Sequence, residues 1–168
     1  NMYRDKMNEL KKWKDSPTRK PLIIRGARQV GKTWLMKEFG KLYYEKCAYI
    51  NFDNNSRMDI LFNEEFDLDR IIQGLKIESG INIEPENTLI IFDEIQETPK
   101  ALKTLKYFYE NANEYHIVAA GSLLGVAMHQ GTSFPVGKVN FMDLMPLSFF
   151  EFLDALGQEH LLNLLKNN

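Results

Sequence analysis

The chain of 168 residues contains one cysteine, Cys47, so it cannot close an internal disulfide. A single thiol suits a reducing compartment, and a cytoplasmic protein is expected. Cys47 stands just ahead of an apolar run and reads as a small packing residue rather than a nucleophile. No run approaches the roughly 20 apolar residues of a membrane-spanning helix, so no membrane partner is expected. The start, Asn1-Met2-Tyr3-Arg4-Asp5-Lys6, is polar and lacks the core of a secretory signal; Asn1 ahead of Met2 has the look of a cloning remnant. Charge of one sign is also lacking. Lys and Arg total 21 against 23 Asp and Glu, a net charge of -2, which gives no bulk electrostatic argument for nucleic acid or an anionic membrane. The three histidines, His116, His129 and His160, form no pair at metal-ligand spacing, which argues against zinc.

What is present is the hydrophobic material for one domain: 44% of residues are hydrophobic and 26% charged. Four short apolar runs stand out, Leu22–Arg25, Ala48–Phe52, Leu89–Phe92 and Ile117–Ala120, with a weaker fifth at Val139–Met142. They lack polar alternation, as expected of strands covered on both faces. Helical spacing lies between them. Leu35, Phe39 and Leu42 form one set, and Leu68, Ile71, Ile72 and Leu75 another, behind a capping Asp67. Leu102, Leu105, Tyr109 and Ala112 follow Thr98-Pro99, a good N-cap and first-turn pair. Ser148 and Glu151 form a possible capping box for a helix through Leu156, and Glu159–Leu165 is a further amphipathic piece. Met2–Lys14 predicts a preceding helix, so residues 1–20 read as an N-terminal helix and linker before a domain over 21–168. Alternating strands and helices predict an α/β fold around a parallel sheet.

Gly26-Ala27-Arg28-Gln29-Val30-Gly31-Lys32-Thr33 matches the phosphate loop G-x-x-x-x-G-K-[ST] in full, between an apolar run and an amphipathic helix. At average composition such an octapeptide arises by chance in under about 1% of chains this long. The glycines let the backbone turn its N–H groups toward phosphate oxygens, and the helix start adds its dipole. Lys32 supplies a cation to the β- and γ-phosphates, and Thr33 a hydroxyl ligand to Mg²⁺. Trp34, next in the chain, is grouped with the nucleotide-binding residues. Arg28 either touches the nucleotide or a neighbouring carboxylate, or is a solvated loop residue. The ligand these residues predict is a purine nucleotide, with ATP and magnesium favoured.

Leu89-Ile90-Ile91-Phe92-Asp93-Glu94 is an apolar run ending in two carboxylates. It delivers Asp93 to the C-terminal edge of the sheet, where open α/β sheets bind ligands. Asp93 suits Mg²⁺, directly or through water, and Glu94, expected to point elsewhere on the pleat, suits a general base that activates water. No Asn-Lys-x-Asp guanine motif occurs, so adenine is favoured over guanine. Ala119-Ala120-Gly121-Ser122 closes the fourth run; the Ser122 hydroxyl either senses the γ-phosphate or positions water, or caps a following helix.

With these residues in place the chain resembles a prokaryotic AAA-type P-loop ATPase family that has an N-terminal ATPase domain and a separate C-terminal domain of unknown function. The resemblance is carried by Pro21–Thr33, Leu89–Gln96, Ala119–Ser122, Phe134-Pro135-Val136-Gly137-Lys138 and Pro146-Leu147-Ser148-Phe149-Phe150-Glu151-Phe152. It implies a three-layer αβα sandwich with a five-stranded parallel sheet, ATP and Mg²⁺ as ligands, and Ser122 near the sensor-1 position. It also implies that the chain is truncated before its C-terminal domain, the expected partner. Ring-forming members usually carry an arginine finger before the fifth strand, whereas between His129 and Val139 the only cation is Lys138. Weak or absent hydrolysis by the 168-residue chain is therefore expected.

The leading function is an ATPase whose nucleotide state moves or signals to a partner domain. A switch that binds ATP and rarely hydrolyses it is the alternative. A small-molecule P-loop kinase is disfavoured, because no arginine follows Arg70 to build a lid over the transferred phosphate. The macromolecular target is open among DNA, a toxin–antitoxin partner and another protein. Phe149, Phe150 and Phe152 read as core at helical spacing, with docking of a partner domain by Phe141–Phe152 the other reading. Arg19 and Lys20 read as a solvated linker, with approach to adenine the alternative.

Overall fold

The computed structural model describes residues 2–26, 31–122 and 137–144. Helix α1 (Met2–Asp15) leads into strand β1 (Leu22–Arg25), and α2 (Lys32–Tyr43) follows the glycine loop. Then come β2 (Lys46–Asn51), α3 (Ser56–Asn63), α4 (Leu68–Ser79), β3 (Thr88–Asp93), a 3-10 turn at Ile95–Glu97, α5 (Pro99–Asn111), β4 (His116–Gly121) and β5 (Asn140–Asp143). All five expected strands are present, within one or two residues of the apolar runs. They form one sheet in the order β2-β3-β4-β1-β5, with every pairing parallel.

Strand alternation divides the core into two layers, one on each face of the sheet. Ile23, Ala48, Ile50, Ile90, Phe92, Ile117 and Ala119 point to one face and pack with α3, α4 and α5. Leu22, Ile24, Leu89, Ile91, Val118 and Ala120 point to the other and pack with α1 and α2. Two-sided burial explains why these strands are continuous apolar runs. Phe92, fully buried, meets Phe52 and Phe62 edge-on at ring-centroid distances of 5.2 and 5.9 Å, which ties β3 to α3.

Asp67 caps α4 as expected, its side chain accepting from the Arg70 N–H at 3.0 Å. Three expectations need adjustment. Thr98 stands at the N-cap of α5, but its hydroxyl donates to Asp59 Oδ1 at 2.7 Å and makes no cap bond. Leu42, given a core position by spacing, is exposed, and in α5 Phe108 rather than Tyr109 is the fully buried ring. Helix α3, which the sequence reading passed over, is an eight-residue element capped by the Asn55 side chain. The pieces expected after Pro146 lie outside the described residues, as do His129 and His160.

Candidate functional site

Parallel register aligns the strand ends. Asn51 pairs with Asp93, Asp93 with Ala120, and Arg25 with both Gly121 and Asp143. Gly26 and Ser122, each one residue beyond a paired position, therefore emerge side by side at the C-terminal edge. Gly31 caps α2 in the left-handed region, with φ 87° and ψ 19°, a backbone that glycine adopts without a Cβ penalty. Its carbonyl accepts the first helical bond, from the Leu35 N–H at 3.0 Å.

The α2 start delivers Lys32 and Thr33 to the end of β3. Lys32 Nζ donates to the Gly26 carbonyl at 2.6 Å, closing the loop on itself. Burial lowers the Lys32 pKa, and the nearby charges of Glu94 and Asp93 oppose that shift. Thr33 Oγ1 donates to Asp93 Oδ2 at 2.5 Å, although the residues are 60 apart in the chain. Asp93, only 3% exposed, also accepts the Glu94 N–H on Oδ1 at 3.0 Å. The Thr33 hydroxyl and the Asp93 carboxylate together offer magnesium two hard oxygens at one point, which phosphate and water oxygens would complete. No cluster of three or more His, Cys, Asp or Glu suited to a metal occurs among the described residues.

Glu94 does not continue the pleat of β3. Its backbone is left-handed, φ 54° and ψ 41°, and turns the chain into the 3-10 segment. Its carboxylate accepts the Gln96 side-chain amide at 2.6 Å. Trp34 packs against Tyr3 of α1 with ring centroids 4.9 Å apart. Ala27, Arg28, Gln29 and Val30 lie outside the described residues.

Sequence reasoning missed Tyr49. Its hydroxyl donates to Asp93 Oδ2 at 2.6 Å, and the Lys37 ammonium lies 4.0 Å from its ring centroid. Burial raises the Tyr49 pKa, and the bond to Asp93 adds to the rise, so the hydroxyl keeps its proton and stays a donor. A polar-tipped aromatic two residues before the end of a strand was the available signal. Arg19 and Lys20 lie before β1, at the opposite end of the strand from the loop. Arg19 donates to the Asn113 carbonyl and sits over Trp13, which anchors it, and Lys20 Nζ donates to the Gly137 carbonyl at 2.9 Å at an exposed position. Cys47 packs against Gly40, and burial pushes its thiol up to about 11, as fits a packing residue. No helix among the described residues is long and apolar enough to cross a membrane.

Comparison with known proteins bears on the fold. Drosophila ORC bound to DNA is similar at 14% identity and a TM-score of 0.57, over 93% of this chain and 46% of that one. The Aeropyrum pernix ORC1 protein in complex with DNA gives 14% and 0.55, over 94% and 47%. The Thermotoga maritima RuvB Holliday junction branch migration motor gives 14% and 0.52, over 93% and 48%. The chain thus spans just under half the length of these solved chains. No curated protein matches it. A family model described as an AAA domain matches residues 18–153, a stretch that holds the glycine loop, the acidic end of β3 and all five strands. The chain therefore belongs to the AAA domain family.

Proposed function

We propose that this domain binds ATP with magnesium and hydrolyses it, passing its nucleotide state to a C-terminal domain or another partner. The observation that carries the reading is the Thr33–Asp93 hydrogen bond of 2.5 Å. It joins the two motifs that a nucleotide-metal site requires, with the Lys32 ammonium close enough to feel the charge of both Asp93 and Glu94.

The loop backbone, Gly26 through Thr33, cradles the phosphates, and Lys32 moves from the Gly26 carbonyl to the β- and γ-phosphate oxygens. Thr33 and Asp93 would hold magnesium, which would supply charge neutralisation to the phosphates. Glu94 accepts a proton from water as the water oxygen bonds to the γ-phosphorus. The bond from that phosphorus to the β–γ bridging oxygen breaks, and ADP leaves with the electron pair. Ser122, one residue past the Arg25–Gly121 pair, would sense the γ-phosphate in this reading. The Gln96–Glu94 bond supports the second reading, a switch that binds ATP with little turnover, because it occupies the base.

Calorimetry with ATP, GTP and ADP in the presence of Mg²⁺ tests the proposal. ATP is expected to bind in preference to GTP, and Lys32→Ala to abolish the binding. Equal binding by Lys32→Ala sinks the central claim. Glu94→Gln separates the two readings: it suppresses turnover and traps ATP in the enzyme, and changes nothing in the switch.

A further inference from the structure

Resting on the nucleotide reading above, we propose that Tyr49 is a positioning residue for the magnesium ligands, fixing the Asp93 carboxylate against Thr33. Asp93 Oδ2 accepts two hydroxyls, Thr33 Oγ1 at 2.5 Å and Tyr49 Oη at 2.6 Å, while Oδ1 takes the Glu94 N–H. Asn51 is the register partner of Asp93, and Tyr49, two residues upstream, is its diagonal neighbour on the adjoining strand. Thr33 and Lys37 lie one turn apart on α2, on the same face. The first grips the carboxylate, and the second covers the Tyr49 ring at 4.0 Å. The ring is thus clamped between a cation of α2 and a carboxylate of β3. The Thr33 hydroxyl can turn a lone pair toward a metal while its O–H goes on donating, and Tyr49 is the second donor that fixes Oδ2. Outer partners of this kind set ligand orientation and thereby metal affinity.

The test measures ATP affinity of the 168-residue chain by calorimetry, in EDTA and across a Mg²⁺ titration. Tyr49→Phe keeps the ring and its packing while removing the hydroxyl. It is expected to raise the half-saturating Mg²⁺ by about 10-fold or more and to leave the EDTA affinity within about 2-fold of the parent. Lys37→Gln, at an exposed position, leaves the Asp93 bond in place and is expected to shift the Mg²⁺ midpoint in the same sense by about 2- to 3-fold. An unchanged Mg²⁺ midpoint in both variants overturns the proposal, as does a parallel loss in EDTA and Mg²⁺, which marks a general structural role. A parent chain whose ATP affinity ignores Mg²⁺ overturns the magnesium reading itself, and that result is visible before any substitution is made.

Discussion

His116 offers a test of the core through pH. It opens β4, is 7% exposed, and its Nδ1 lies 2.6 Å from the Tyr44 hydroxyl. The Trp13 ring packs against it in a T-shaped arrangement, with centroids 6.0 Å apart, and Arg19 and Lys14 are the nearby charges that act on it. Burial first, then those two cations, lower its pKa from 6.5 to about 4. If Tyr44 donates to Nδ1, protonation also forces that hydroxyl to turn. The unfolded chain, with an ordinary histidine, binds the proton more readily than the folded one. Stability conferred by the neutral ring is therefore complete above pH 6.5 and is lost as pH falls toward 4. Between pH 7 and 4.5 the loss from this one group is about 2 to 3 kcal/mol. Urea unfolding of the parent and of His116→Gln at both pH values isolates it, because carboxylates titrate alike in the two proteins. The parent should lose that much more than the variant over the interval. Equal losses would refute the claim that His116 is held neutral.

Two further perturbations probe the supports of the site. Alanine at Gly40 would place its Cβ 2.9 Å from Cys47 Sγ and 3.3 Å from Leu89 Cδ2. The overpacking cost of about 1–3 kcal/mol should outweigh the helix-propensity gain of about 1 kcal/mol, and urea unfolding should show a net loss that Cys47→Ala partly restores. Asp67→Ala removes the cap bond to the Arg70 N–H and should cost about 1 kcal/mol in the same assay, without altering nucleotide affinity.

The sheet was legible because its strands are buried on both faces, so each run such as Leu89–Phe92 announces itself without alternation. The loop and Asp93 were legible because chemistry restricts the residue types at those positions. Helix α3 was not legible. Its buried positions, Met58 and Phe62, are only two, and its exposed Ile60 disturbs the helical stripe. Tyr49 was hidden for another reason: its partner is 44 residues away in the chain and is met only across the β2–β3 register. The Glu94 turn was obscured by position alone, since a non-glycine left-handed residue leaves no local signature.

The edge of the sheet also bears on turnover. Charge developing on a transferred phosphate needs cations aimed at it, and among the described residues Arg25 precedes the loop and Lys32 lies within it. Arg25 is already committed. Its Nε and Nη2 grip Asp143 at 2.7 and 3.1 Å, and its guanidinium lies 4.5 Å from the Phe141 ring centroid. A partly exposed pair of this kind contributes under about 1 kcal/mol to stability, so its consequence is chiefly geometric: it fastens the edge strand β5 to β1 and turns the arginine along the sheet toward β5. Lys32, by contrast, donates to the Gly26 carbonyl at 2.6 Å, within the loop proposed to take the nucleotide. The weak hydrolysis expected of this chain rests on the lack of an arginine between His129 and Val139, and it is open to test. A partner that brings a guanidinium to the edge between Gly26 and Ser122 should raise turnover without changing ATP affinity in proportion, whereas Arg25→Lys should leave turnover unchanged. A large loss of turnover in Arg25→Lys, with ATP binding intact, would show that Arg25 leaves Asp143 during the reaction.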